Sequence, residues 1–399
     1  MVYDLRPYGF KNTIFSDDLT DISNNLPIWN NIHTVSKKLV DTNLIIEYFI
    51  SPIKNTDEQD TYPIYIWGKK IDEGTYGKIY TCLRKIYSNI SHGKITLDRS
   101  EIQNFDTVVI KETPLCLSDA ERHLSKESQK KALLEEFNAH LHEATVLTLA
   151  YMVAKKHKIE KSIPRIFEIF THRKDHYSTI EDVHSLCIVM EYIHGETLQK
   201  YLAQKFHTNN KKENDIIFLN LLKQIATLLD ILQESLRMNH RDIKINNILI
   251  RDSNSTNPIL VLIDYGFACI ANGEQDPNAE MSQIQAGSYF GSRFSCFKHG
   301  RDIFQYIYGI HCYYPLQQYL SDDLFKLVTK WMTLEYEGKN VNILNGISIH
   351  GTPHDVLHPV ISFNEGIYIF LKKPNIDPLN CSPKKVMNDI ENYLNMYNI

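Results

Sequence analysis

The feature that most constrains this chain is an apolar helical repeat that runs into a tract packing alone does not explain. Phe218, Leu221, Leu222, Ile225, Leu228, Leu229, Leu232 and Leu236 recur at the i, i+3, i+4 spacing of a helix with one buried face. His240-Arg241-Asp242-Ile243-Lys244-Ile245-Asn246-Asn247 follows almost at once. Two short apolar runs come next, Ile245–Ile250 and Ile259–Ile263, with a turn-rich Arg251–Pro258 between them, so a small hairpin is predicted. Asp264-Tyr265-Gly266 closes the second run. A core helix, a charged loop and a hairpin that ends in a carboxylate therefore lie consecutively in the chain.

Those residue types suit one chemistry. A carboxylate at Asp242 accepts a proton from an attacking hydroxyl. An amide five residues on, Asn247, ligates a hard cation through its carbonyl oxygen, and Asp264 supplies an anionic oxygen to the same kind of ion. Lys244 offsets negative charge on a transferred group.

Earlier in the chain, Ile71-Asp72-Glu73-Gly74-Thr75-Tyr76-Gly77-Lys78-Ile79 lies between two predicted strands. Gly74 and Gly77 allow backbone N–H groups to close on phosphate oxygens, although two glycines in a hairpin by themselves say no more than a turn. Val108-Val109-Ile110-Lys111 places an ammonium at the end of an apolar strand, where in isolation it reads as a solvated strand end.

The surrounding chain is ordered accordingly. Strands are predicted over Ile64–Ile71, Lys78–Leu83 and Thr107–Ile110, with a polar loop over 85–106. A helix is predicted over Lys126–Lys156, then strands over Arg165–Phe170 and Leu186–Tyr192, and mostly helix in the last hundred residues. Residues 1–62 read as a polar, partly ordered extension. The expected class is α+β: a β-rich lobe over 63–193 and a larger helical lobe over 194–399.

Glycine loop, strand lysine, helix-then-loop base and Asp-x-Gly occur here in the order found in protein kinases. The chain resembles the eukaryotic-type protein kinase superfamily, in a divergent Ser/Thr-kinase-like form, over roughly 64–399. The resemblance implies the bilobal kinase fold, ATP and Mg²⁺ as cofactors, and a protein Ser/Thr hydroxyl as acceptor. It implies Asp242 as base, Asn247 and Asp264 as metal ligands, and Lys111 as the lysine on the α/β-phosphates. Gly74, Gly77 and Ile79 fall on the phosphate loop. Met190 falls on the gatekeeper, Glu191 and Ile193 on the hinge that offers backbone groups to adenine, and Val109 and Leu249 on the two sides of the base. Lys244 matches the Ser/Thr pattern. Glu135, Glu136 and Glu143 are all candidate partners for Lys111; Glu143 is preferred because Leu147 follows one turn later. Asp302 matches the residue that caps the backbone of the base loop. Alternatives are a pseudokinase or scaffold that binds nucleotide without turnover, and a small-molecule kinase.

The sequence also departs from that pattern. Asp72 replaces the first glycine of the loop and is expected to face solvent. Val109 replaces a smaller residue and narrows the adenine slot. Gln283–Gly300 contains no Ala-Pro-Glu, and no Arg follows Arg301, so both halves of the family's buried Glu–Arg pair are missing. Ser282, Ser288, Tyr289, Ser292 and Ser295 are candidate phosphosites that Arg241 would read.

Composition limits partners. A net charge of -5 gives no bulk attraction to nucleic acid or anionic lipid. Lys155, Lys156, Lys158 and Lys161 read as a solvated helix end. The seven scattered cysteines suggest neither a zinc site nor a disulfide framework. No signal peptide, lipidation motif or membrane-spanning run is apparent, so a soluble cytoplasmic protein without membrane insertion is expected.

Overall fold

The computed structural model describes residues 62–74, 77–87, 105–173, 183–255, 257–270, 297–336, 339–342, 344 and 377–397, with short strands at 32–34, 39–41, 44–46 and 284–285. The described residues fall into two compact units, one over 32–148 and 164–192, the other over 149–163 and 193–397. The candidate phosphosites Ser282, Ser288, Tyr289, Ser292 and Ser295 lie outside the described residues, as do Thr75 and Tyr76.

The first unit is built on a six-stranded sheet. Its strands are β1 (Ile32–Thr34), β4 (Tyr62–Gly74), β5 (Gly77–Tyr87), β6 (Asp106–Pro114), β7 (Ile166–Arg173) and β8 (Val183–Glu191), in the order β1-β7-β8-β6-β5-β4. A separate two-stranded ribbon pairs β2 (Leu39–Asp41) with β3 (Leu44–Ile46). The alternation of β6 explains the core. Val108 and Ile110 are buried on one face with Tyr65, Cys82, Cys187 and Val189, while Val109 and Lys111 point to the other.

The sequence-predicted helix matches α1, Lys126–Lys156. Ser125 opens it, its hydroxyl accepting the Ser128 N–H at 3.2 Å, which satisfies one of the helix's otherwise orphaned N–H groups.

The second unit is organised around α3 (Lys211–Leu236), which follows α2 (Leu198–Lys205). All eight apolar residues of the α3 repeat are buried. Arg237 ends α3 in the left-handed conformation (φ 48°), with its N–H on Gln233 O at 2.9 Å. β10 (Met238–Asn239) follows directly and carries the chain into the 240–247 loop.

β11 (Ile248–Arg251) pairs with β12 (Ile259–Leu262) on one side and β9 (Gly195–Thr197) on the other. The expected hairpin is present but begins at Ile248, because Ile245–Asn247 form a turn closed by Asn247 N–H on Lys244 O at 2.9 Å. β13 (Cys269–Ile270) pairs with β10 and with β14 (Ile284–Gln285). Cys269 is disulfide-bonded, which the scattered cysteines did not suggest, whereas Cys82, Cys116, Cys187, Cys312 and Cys381 are not in disulfides.

The C-terminal part contains α4 (Arg301–Tyr313), α5 (Leu316–Tyr319), α6 (Asp322–Trp331) and α7 (Pro383–Tyr397). Between α6 and α7 a hairpin of β15 (Thr333–Tyr336) and β16 (Lys339–Asn342) replaces the expected helix. Val386, Ile390 and Tyr393 form the buried face of α7, which packs along α3. No described helix is long and apolar enough to cross a membrane.

Candidate active site

Hydrogen bonds hold the 240–247 loop at His240, Arg241, Asp242, Lys244 and Asn247. Asp302, near the start of α4, accepts the His240 N–H on Oδ2 at 2.8 Å and the Arg241 N–H on Oδ1 at 3.0 Å. Its Oδ2 also accepts Asn239 Nδ2 at 3.0 Å. A fully buried carboxylate is stable only with such compensation. One turn further along α4, Gln305 Nε2 donates to Arg241 O at 3.2 Å.

Burial pushes the His240 imidazole down from its ordinary pKa, favouring a neutral ring that donates from Nε2 to Ile263 O at 3.1 Å. The same ring meets Tyr265 edge-on, with centroids 4.7 Å apart. These contacts tie the loop to the chain on either side of Asp264.

Within the loop, Asp242 is 3% exposed and Asn247 6%. Lys244 Nζ donates to Asp242 Oδ2 at 2.9 Å. Asn247 Nδ2 donates both to Asp242 Oδ2 at 2.7 Å and to Asp242 O at 3.0 Å. The carboxylate is thereby fixed in one orientation by an ammonium and an amide. Committing Nδ2 to Asp242 turns Asn247 Oδ1 away from that carboxylate, as a hard-cation ligand requires. The Ile263 N–H donates to Asn247 O at 3.0 Å, linking the amide to the segment that carries Asp264.

Arg241 (φ 69°) and Asp264 (φ 65°) both occupy the left-handed region. That conformation costs a non-glycine residue about 1–2 kcal/mol, and such strain concentrates at functional sites. An all-oxygen pair of one amide and one carboxylate fits Mg²⁺ better than a softer metal. Among the described residues, no group of three or more His, Cys, Asp or Glu forms a metal site.

In the first unit, Lys111 Nζ lies 2.7 Å from Glu143 Oε1 and 2.8 Å from Oε2, each side chain 11% exposed. Of the three glutamates considered, Glu136 instead accepts the Cys116 N–H at 3.1 Å, and the side chain of Glu135 lies outside the described residues.

Strand register gathers further candidates. Ile79 is opposite Lys111, Thr81 opposite Val109, and Val109 opposite Met190. Opposed residues of antiparallel strands share a face, so Ile79, Val109, Lys111 and Met190 line one side of the sheet. Gly74 pairs with Gly77 across the hairpin, and a Cβ on Gly77 would sit 2.5 Å from Glu112 O. Asp72 is exposed and its Oδ1 accepts the Glu73 N–H at 2.8 Å. The Glu191 N–H is committed to Arg165 O at 2.8 Å, Ile193 is buried, and Leu249 is half-buried on β11 of the second unit.

The protein kinase domain family model matches residues 172–292, which contain the whole 240–247 loop and Asp264. That segment of the chain is similar to the protein kinase domain. The serine/threonine-protein kinase tousled-like 1 of Caenorhabditis elegans is 31% identical over 112 residues, 27% of this chain and 11% of that protein. The chain thus spans only a small part of that relative's length. The family match begins beyond β6 and α1, so the Lys111–Glu143 pair is a structural observation independent of it.

Two residues that support the 240–247 loop were not singled out from the sequence. Asn239 exchanges hydrogen bonds with the Lys298 backbone, and Gln305 braces Arg241. Gln305 was signalled only by lying one helical turn beyond Asp302, and Asn239 only by preceding His240.

Proposed function

We propose that this protein is a serine/threonine protein kinase that transfers the γ-phosphoryl group of ATP to a protein hydroxyl. The observation that carries the reading is the Asp242 carboxylate, held by Lys244 and Asn247 in a loop whose backbone is capped by Asp302. A scaffold that only binds nucleotide needs no such arrangement around a base.

In this mechanism Asp242 orients the acceptor hydroxyl and takes its proton as the oxygen attacks phosphorus. The bond from phosphorus to the leaving oxygen breaks, and ADP departs. Lys244, already on Asp242 Oδ2, offsets charge on the moving phosphoryl. Lys111, oriented by Glu143, binds the α/β-phosphates. Asn247 and Asp264 would hold Mg²⁺, which supplies charge neutralisation on the phosphates. Ile79, Val109, Met190, Glu191, Ile193 and Leu249 are assigned to the adenine, and the Gly74–Gly77 hairpin to the phosphates. Serine/threonine preference rests on Lys244 and on the partial similarity to the tousled-like kinase.

The test is incubation with Mg²⁺ and γ-labelled ATP on mixed protein substrates, beside Asp264→Ala, followed by phosphoamino-acid analysis. Label on serine and threonine, lost in the variant, supports the proposal. Label on tyrosine only, or equal incorporation by both proteins, contradicts it.

A further inference from the structure

We propose that Asp377 is a positioning residue for the 240–247 loop, acting through the turn that leads into α4; its effect on turnover rests on the kinase reading above. The Asp377 carboxylate spans two successive backbone donors, with Oδ2 accepting the His299 N–H at 3.0 Å and Oδ1 the Gly300 N–H at 3.0 Å. Gly300 is the residue from which α4 starts, two before Asp302.

The same short segment is held from the opposite side by Asn239. The Lys298 N–H donates to Asn239 Oδ1 at 2.6 Å, and Asn239 Nδ2 donates to Lys298 O at 3.0 Å. Asn239 Nδ2 also reaches Asp302 Oδ2, which accepts the His240 N–H. Residues 298–302 are therefore clamped between Asp377 and the residue that precedes the loop.

The contact leaves no slack. A Cβ on Gly300 would sit 1.7 Å from Pro378 O, so the 377–378 segment lies directly on the backbone at the start of α4. That segment is anchored independently. Cys381 N–H donates to Pro378 O at 2.7 Å, Cys381 Sγ to Trp331 O at 3.2 Å, and Asn380 Nδ2 to Thr333 O at 3.1 Å.

Charge favours the same placement. Lys298 lies in the fields of Arg301 and Arg241, and Asp377 is the carboxylate acting on it in the opposite sense. A rigid anchor acting through a capping residue sets the direction of a reacting group without touching it.

The test uses the full chain with Asp377→Ala, Asp377→Asn and Asp377→Glu, and Asp389→Ala as a comparison. Asp389, on α7, instead accepts Trp331 Nε1 at 2.9 Å. Three quantities are read: kcat and KM for ATP, melting temperature, and amide hydrogen exchange over 239–242.

Asp377→Ala should lose about ten- to a hundredfold in kcat with KM for ATP within about twofold, since small misplacements of a reacting group have effects of that size. Exchange over 239–242 should accelerate, and Asp377→Glu should recover part of both effects. Asp389→Ala should lower the melting temperature without either change. Should Asp377→Ala not fold, Asp377→Asn, which keeps one acceptor oxygen, carries the same comparison.

A kcat within twofold of wild type together with unchanged exchange overturns the proposal. So does an equal loss of kcat in Asp389→Ala at matched stability. An inactive wild type would refute the kinase reading alone; faster exchange over 239–242 in Asp377→Ala would still support the positioning role, and unchanged exchange would still overturn it.

Discussion

Lys111 and Glu143 form a two-pronged ion pair, at 2.7 and 2.8 Å, between β6 and the middle of α1. Both side chains are nearly buried, so each offsets part of the other's lost hydration. Glu143→Ala should destabilise the chain by about 3 kcal/mol, because it takes a two-oxygen carboxylate partner from a nearly buried ammonium. Lys111→Met alone should cost about as much, and the double variant less than the sum of the two. Urea denaturation of the four proteins gives the coupling, and additivity would contradict it.

Asp302 compensates three donors with one carboxylate. Asp302→Ala should lower stability by about 3 kcal/mol or more, since buried donors lose their acceptor. It should also reduce kcat more than KM for ATP. Chemical denaturation and steady-state kinetics check the two parts.

Burial, with Arg301 and Arg241 adding to it and Asp377 opposing it, pushes the Lys298 ammonium down to about 7. The unfolded chain titrates near 10.5. Between those values the unfolded state binds more protons than the folded state, so stability should rise with pH across this window and be flat below it. The slope due to this group approaches about 1.4 kcal/mol per pH unit. Lys298→Met should remove that slope. Denaturation midpoints measured from pH 7 to pH 10 for both proteins provide the check.

Gly77 has no room for a side chain, with Glu112 O only 2.5 Å from where a Cβ would be. Gly77→Ala should push the β4–β5 hairpin away from β6, lowering the melting temperature by several degrees and raising KM for ATP. Thermal melting with and without Mg²⁺–ADP tests both.

Much of this was legible because local chemistry and tertiary role coincide. The Lys126–Lys156 helix and the buried stripe of α3 follow from periodicity, and Asp242, Asn247 and Asp264 stand out because no packing rule calls for them. Less was legible where a partner is remote. β1 is a three-residue strand whose partner is Ile169–Thr171, far along the chain, and nothing in Ile32-His33-Thr34 announces a parallel neighbour. The β15–β16 hairpin is short and polar, with alternation too brief to outweigh the flanking helices. Asp377 carries no local signal, since its acceptors serve a backbone turn whose N–H groups are invisible in a sequence. Glu143 could be ranked above its neighbours from sequence, but only the fold shows it meeting Lys111.

The most direct test of the central claim compares wild type with Asp242→Asn for transfer of the ATP γ-phosphoryl to protein, alongside the affinity of each for Mg²⁺–ADP. The account predicts transfer by the wild type, reduced about a thousandfold or more in the variant, a barrier increase of about 4 kcal/mol, with nucleotide affinity little changed. Equal rates in the two proteins, or tight nucleotide binding by a wild type that transfers nothing, would contradict it.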